Sequence, residues 1–330
     1  MTLQLEINQH GLDEEYLLCL NACFPNWGDK RVFEWAFCRG LPPDPLADRF
    51  VLREDGKLLA GSAVSYRSVS LPNSHTIRVG IMTGSWTLPA ARGRGCFSRM
   101  IEESVRITKD REGSILLAFV TEDNPSRRQL QKAAAAVFPT SYLIANAEPR
   151  TSSHETLADG LIPSVTEEEL QRSFRHWTTG RIGKSTFAYS SFKTWSGQFV
   201  ARPWETQILQ DTTGSFAVLE KHATTDRINA FWGSSREREL VFLSNLRDRA
   251  RAEGHNLFAF SMDAEFAASC KGVGFTERPG FLTAIVTDWQ RLGHALKLAP
   301  PSESFENQLL ADASSPWFLG WWNLQSGDRM

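Results

Sequence analysis

The chain has no excess of charge of either sign. Its 330 residues carry 36 Lys and Arg against 38 Asp and Glu, a formal net charge of −2. A nucleic-acid binder would usually show a basic face, so no nucleic-acid partner is expected. Cysteine is scarce. The five residues, Cys19, Cys23, Cys38, Cys96 and Cys270, are odd in number and fit neither a disulfide framework nor a zinc-ligand spacing. No metal is therefore expected, and a reducing cytoplasm suits the thiols. No apolar run approaches the length that spans a bilayer. The start, Met1-Thr-Leu-Gln-Leu-Glu, lacks a basic region followed by an apolar core, so no secretory signal is expected. Two phosphate loops are missing as well. There is no GxxxxGK followed by Ser or Thr, and no GxGxxG, which sets aside the P-loop and the dinucleotide fingerprint. What remains is 42% hydrophobic, an ordinary globular composition of a size that suggests two domains.

The informative stretch is Thr76 to Phe138. An apolar run from Ile77 to Leu88 reads as a strand, and Pro89-Ala-Ala-Arg-Gly-Arg-Gly-Cys96 follows. Phe97, Met100, Ile101, Ser104 and Val105 then recur at helical spacing. Strand, glycine-rich turn and helix together make an anion site. The first helical turn has unpaired N–H groups and the positive end of the helix dipole. Gly93 and Gly95 let the backbone approach a ligand, while Arg92 and Arg94 supply donors suited to phosphate. Upstream, Phe50 to Glu54, the tight-turn pair Asp55-Gly56, Lys57 to Leu71 and the turn Pro72-Asn-Ser74 make an antiparallel meander with that strand. Gly84 within the third strand suggests a bulge or a close backbone approach. Downstream, Ser114 to Val120 reads as a strand, and Asn124-Pro-Ser126 opens a helix through about Ala136.

Arg92-Gly-Arg-Gly95-Cys-Phe97 resembles the pyrophosphate loop of the GCN5-related N-acetyltransferases, (Gln/Arg)-x-x-Gly-x-(Gly/Ala), with Phe97 where Gly or Ala is usual. Trp86 to Gly95 looks like the family's fourth strand running into that loop, and the order of elements agrees over roughly residues 45–145. The resemblance implies a mixed α/β fold of the acyl-CoA N-acyltransferase type. It implies acetyl-CoA as cosubstrate, held by Ser85, Trp86 and Thr87 at the bulge, by Arg92, Gly93, Arg94, Gly95, Cys96, Phe97 and Ser98 at the loop, and by Asn124 on the pantetheine arm. The reaction implied is attack of an amine on the thioester, with a small-molecule amine as acceptor. Here the sequence departs from the family. The tyrosine often found seven residues after the helix-opening Asn would fall at Gln131, which has no acidic proton to give. Glu122, with Asp123 beside it, is the candidate base and Tyr142 the candidate acid. Cys96 is read as a small spacer. Trp27, Phe33, Trp35 and Phe37 either line an acceptor pocket or pack the core.

Residues 146–163 read as a linker, which places the domains at 1–150 and 151–330. Thr166-Glu-Glu-Glu169 starts a helix with a capping box. The second half echoes the first: strands at 214–220, 227–233, 256–261 and 280–286, helices at 236–253 and 264–271. Lys271-Gly-Val-Gly-Phe275 resembles the family's helix-to-strand ending, so the second half reads as a degenerate copy. Phe231-Trp-Gly-Ser-Ser-Arg-Glu-Arg lacks paired glycines, and no cofactor is expected there. The tail carries Trp317-Phe-Leu-Gly-Trp-Trp and is expected to dock. Its terminal Met330 carboxylate is a base only if it reaches the first domain's cleft. Three functions compete: an acetyltransferase, a longer-chain acyltransferase suggested by Phe97 and the tryptophan-rich second half, and a non-catalytic acyl-CoA-binding or scaffold protein suggested by Gln131.

Overall fold

The chain passes from one compact unit into another and back again. One unit is built from residues up to Phe138 together with the stretch that begins at Phe281; the other is built from Pro139–Gly280 with the tail segment ending at Arg329. The structure, a computed structural model, describes residues 3–9, 11–39, 46–147, 161–163, 166–297 and 322–329. The units are therefore not the continuous halves 1–150 and 151–330, because the crossings fall within two strands.

In chain order the first unit contributes β1 (Gln4–Ile7), α1 (Leu12–Cys23), α2 (Lys30–Phe37), β2 (Ala47–Glu54), β3 (Lys57–Ser70), β4 (Thr76–Thr87), α3 (Cys96–Asp110), β5 (Ile115–Thr121) and α4 (Ser126–Lys132). The first crossing lies in β6 (Ala136–Ala145). The second unit then runs through β7 (Ile162–Pro163), α5 (Glu167–Thr179), β8 (Thr186–Phe187), α6 (Phe192–Phe199), β9 (Thr206–Gln210), β10 (Phe216–Lys221), β11 (Thr225–Trp232), α7 (Arg236–Ala252), β12 (Asn256–Ser261) and α8 (Ala264–Gly272). The return crossing lies in β13 (Thr276–Val286), and α9 (Trp289–Leu296) follows.

In the first unit the strand order is β1-β2-β3-β4-β5-β13, antiparallel from β1 to β4 and parallel between β4 and β5. The β2–β3 hairpin turns on Asp55 and Gly56, at φ +50° and +75°, as a two-residue turn of this hand requires. Tyr16, Phe33, Phe37, Val51 and Trp86 fill one face of the sheet; Phe50, Tyr66, Met100, Ile101, Leu116 and Leu130 fill the other. Phe281 and Ile285 of β13 pack on that second face, and Thr283 Oγ1 donates to Ala118 O at 3.1 Å.

The second unit has the order β6-β12-β11-β10-β9-β7. Here β9, β10 and β11 form the antiparallel meander, β11 and β12 run parallel, and β6 pairs antiparallel with β12 through Leu257–Ala145 to Ser261–Ser141. Each unit thus has a meander, a parallel pair and a sixth strand taken from the far half of the sequence. Phe242, Leu246, Phe266 and Cys270 cover one face, and Trp177, Trp195, Phe199 and Phe216 the other. Those tryptophans are core residues.

One local boundary moves. The helix opened by Ser126 stops at Lys132 rather than near Ala136, because Ala134 takes φ +59° and Ala135 N–H closes back on Leu130 O at 3.1 Å. Of the two readings of the aromatic segment, the core one holds: Phe33, Trp35 and Phe37 pack the core, with Trp27 stacked on Phe37 at 5.9 Å. Trp317–Trp321 and Met330 lie outside the described residues, as does most of the expected linker; Trp322 is buried at 4% exposure.

The second unit holds a fully buried carboxylate, Glu220, on β10. It accepts from Arg202 Nε, from His222 Nε2 at 2.6 Å, from Arg227 Nη1 at 3.1 Å and from Asn229 Nδ2 at 3.1 Å. Burial pushes its carboxyl up, but His222, Arg202, Arg227 and Asn229 together outweigh burial and hold it down at about 2. The folded value lies below the unfolded one, so the stabilisation is complete above the unfolded value near 4.5 and is lost as the pH falls toward 2. Thermal melts across that window will show a falling melting temperature. Glu220→Gln will flatten this slope and destabilise the neutral protein by about 3–5 kcal/mol, since the buried Arg202 loses the charge it faces.

Candidate functional site

The first unit's site is built where β4 stops behaving as a regular strand. Ala63 pairs with Thr83 and Gly61 with Trp86, so Gly84 and Ser85 stand opposite the single residue Ser62. This is the bulge expected from Gly84, which takes φ +54°. Two side chains pin it. Tyr16, fully buried on α1, donates its hydroxyl to Gly84 O at 2.9 Å, and the Ser62 and Ser85 hydroxyls meet at 2.7 Å. Burial pushes the Tyr16 phenol far up, so it stays a neutral donor. Parallel pairing of β4 with β5 runs from Val79–Ile115 to Ile81–Leu117 and ends there. Beyond it both strands continue, to Thr87 and Thr121, without pairing to each other.

Ser85 and Thr87 are half-buried at this mouth. Trp86 is different: its ring lies over Gly61, where a Cβ would sit 2.5 Å from Cζ2, and meets Tyr16 edge-on at 5.6 Å. Its side chain belongs to the core, leaving only its backbone for a ligand.

A single 3₁₀ turn, Pro89–Ala91, carries the chain from β4 to the loop. Gly93 and Gly95 take φ +77° and +78°, and a Cβ at either would meet nothing within 4 Å. The loop is therefore open, and the glycines are required by conformation rather than by crowding. Gly95 caps α3 without any side-chain hydrogen bond, so the N–H groups of Cys96, Phe97 and Ser98 open the helix with no internal carbonyl to bind. Arg92, Gly93, Arg94, Gly95 and Ser98 are exposed. Among the described residues Arg92 forms no ion pair, whereas Arg94 is drawn to Glu54 on β2 at 2.5 Å. Arg92 is thus the loop's available guanidinium. Cys96 is buried, its thiol directed at Ala91 O, and burial raises its pKa, which suits a spacer and not a nucleophile. Phe97 packs against the α3-side core.

Asn124 follows the end of β5. Its Oδ1 accepts from Ser126 N–H at 2.9 Å and opens α4, which leaves its Nδ2 to point elsewhere. Glu122 and Asp123 are exposed at the same turn, and Gln131 is exposed on α4. Tyr142 lies in the second unit. Its ring meets Phe258 and Phe260, with the Arg329 guanidinium 4.7 Å from its centroid, and its buried hydroxyl has no hydrogen-bond partner among the described residues. Sequence reasoning missed Tyr16, Ser62 and Glu54. Each sits in an ordinary apolar or alternating pattern, and only the Gly84 signal hinted that something must hold the strand there.

The second unit repeats the bulge but not the loop. Val218 pairs with Ala230 and Leu219 with Ile228, which leaves Asn229 of β11 as the extra residue. The helix after β11 is capped by Ser235, whose hydroxyl accepts from Arg238 N–H, and a Cβ on Gly233 would fall 2.8 Å from Glu239 Cβ. That turn is closed by its own side chains. One group of metal-ligand type occurs among the described residues, Asp226, Glu253 and His255 of the second unit. The Lys221 ammonium already bridges its two carboxylates.

No family model and no curated protein matches the sequence. Solved structures do. A GCN5-related N-acetyltransferase from Anabaena variabilis ATCC 29413 is 12% identical, with 89% of this chain and 75% of that chain covered at a TM-score of 0.61. A tandem GNAT protein from the clavulanic acid biosynthesis pathway is 14% identical over 87% of this chain and 99% of that chain, at 0.58. Saccharomyces cerevisiae N-myristoyltransferase with bound myristoyl-CoA and inhibitors is 12% identical over 86% and 79%, at 0.60. The chain therefore has the GNAT fold, and its neighbours of that fold include tandem proteins that match most of its length.

The double pinning of the bulge gives a direct test. Tyr16→Phe leaves Gly84 O without its buried donor and will cost about 1–3 kcal/mol of stability. Amide exchange across residues 83–87 will speed up, while exchange in the second unit's β11 stays unchanged.

Proposed function

We propose that the chain is an acyltransferase that moves an acetyl group from acetyl-CoA directly to an amine of a small-molecule acceptor. The observation that carries this reading is the open loop Arg92–Ser98 set beside the parted strands β4 and β5. A pyrophosphate fits the loop: free N–H groups of the first turn of α3, Gly93 and Gly95 that admit close approach, and the exposed Arg92 guanidinium. A pantetheine arm fits the gap beyond Ile81–Leu117, with the backbone of Ser85, Trp86 and Thr87 on one side and the Asn124 amide on the other.

In this reading the thioester carbonyl lies at the bulge, where a backbone N–H stabilises the oxyanion formed when the amine attacks. The amine proton leaves to a base, and a proton returns to the departing CoA thiolate. Glu122, exposed at the end of β5 and without an ion pair among the described residues, takes the base role. Side-chain packing favours a short acyl group. A Cβ on Gly84 would lie 3.1 Å from Phe37, 3.7 Å from Tyr16 and 3.8 Å from Leu20, so that face of the bulge is filled. Phe97, which suggested a longer chain, is partly buried against the core. The second unit's closed turn at Ser235 supports a single cofactor site. No helix among the described residues is long and apolar enough to cross a membrane.

Calorimetric titration with acetyl-CoA tests the reading. The wild type will bind saturably. Arg92→Ala will weaken binding about tenfold or more, the loss of a charge-assisted bond to phosphate. Gly95→Trp will abolish binding, because its φ disfavours any side chain and the indole would fill the loop. A wild type without saturable heat would overturn the proposal. Release of CoA over an amine panel then separates an enzyme from a binder, and Glu122→Gln will lower that rate with little change in acetyl-CoA affinity.

A further inference from the structure

In the second unit, too, a parallel pair parts. Strands β11 and β12 pair from Thr225–Asn256 to Ile228–Ala259 and no further, although β11 runs on to Trp232 and β12 to Ser261. This is the counterpart of the gap between β4 and β5, yet it is occupied. The tail segment 322–329 lies in it. Gln325 meets the Phe231 backbone with both ends of its amide: Oε1 accepts from Phe231 N–H at 2.9 Å and Nε2 donates to Phe231 O at 3.0 Å. On the other strand, Phe260 N–H donates to Ser326 Oγ at 2.9 Å and Met262 N–H to Leu324 O at 3.2 Å, and Ser261 forms a bridge with Gln325. The tail thus satisfies backbone groups on both parted strands at once.

The segment is also locked in place. Trp177 Nε1 donates to Gln325 Oε1 at 3.0 Å, and Gln198 Nε2 donates to Gly327 O at 2.6 Å. Gly327 is wedged so tightly that a Cβ would lie 2.3 Å from Phe199 and 3.0 Å from Asn229 O. Asp328 is fully buried. It accepts from Arg181 Nη2 at 3.0 Å, from Tyr189 Oη at 2.8 Å and from its own turn at Gln325 N–H at 2.8 Å. Leu324 is fully buried as well.

We infer that residues 322–329 are a built-in ligand of the second unit: the chain's own tail fills the slot that in the first unit is left for a pantetheine arm. The comparison with a pantetheine slot rests on the proposed function; the occupancy of the gap does not. The second unit is then a site for this peptide, Trp322-Asn-Leu-Gln-Ser-Gly-Asp-Arg329, and is closed to acyl-CoA.

The test uses the full chain, Gln325→Ala, and a chain truncated after Gly320. In Gln325→Ala, amide exchange at Phe231 will accelerate about tenfold or more, from loss of a buried two-point hydrogen bond, while exchange in β4 stays as in the wild type. The truncated chain will lose protection at Phe260 and Met262, and a synthetic peptide of residues 322–330 added in trans will restore it. If the truncated chain does not fold, Gln325→Ala alone carries the test. Unchanged exchange at Phe231 in Gln325→Ala would overturn the inference, as would binding of two equivalents of acetyl-CoA by the wild-type chain. A wild type that binds no acetyl-CoA would sink the functional proposal and leave the exchange result standing.

Discussion

Two parallel strands that part company leave backbone N–H and C=O groups facing a gap, and buried groups of that kind must be paired. Both units of this chain are arranged around that constraint. In the first, β4 and β5 separate after Ile81–Leu117, and a bulge held by Tyr16 and the Ser62–Ser85 contact keeps the strand turned outward. In the second, β11 and β12 separate after Ile228–Ala259, and the tail enters with Gln325, Ser326 and Leu324 to take up the freed groups. One geometric feature thus has two solutions: an external ligand is proposed for one gap, and the chain's own segment fills the other.

The two helix starts after those strands repeat the contrast. At α3 the cap is Gly95, with no side chain to occupy the first turn and an open loop in front of it. At α7 the cap is Ser235, whose hydroxyl takes one of the free N–H groups, and Gly233 has no room to spare beside Glu239. An anion site at a helix start needs free donors and an unobstructed approach together. The first unit offers both. In the second, one of those donors is taken by the Ser235 hydroxyl and the approach beside Gly233 is filled.

Much of this was legible in the residues. The meander, the Asp55-Gly56 turn, the bulge at Gly84, the glycine loop and the capping box at Thr166 all follow from local rules, and each lies where the pattern put it. What escaped was non-local. Nothing in residues 281–286 announces that they lie beside β5, or in 141–145 that they pair with β12, because both stretches read simply as strands. The short β1, β9 and α6 carry too few residues for periodicity to separate them from loop. Arg94 pairs with Glu54, a partner forty residues upstream whose position only the folded meander defines. Polar residues of the tail, Gln325, Ser326 and Asp328, follow no period at all; their use depends on a gap formed by strands some hundred residues earlier.

The most direct test of the account is an amide-exchange footprint of acetyl-CoA on the intact chain. The account predicts slowed exchange at residues 83–87 and 93–98 on addition of acetyl-CoA, with β11 and β12 of the second unit, already paired to the tail, unchanged. Protection appearing at residues 229–233, or at neither site despite saturating acetyl-CoA, would contradict it.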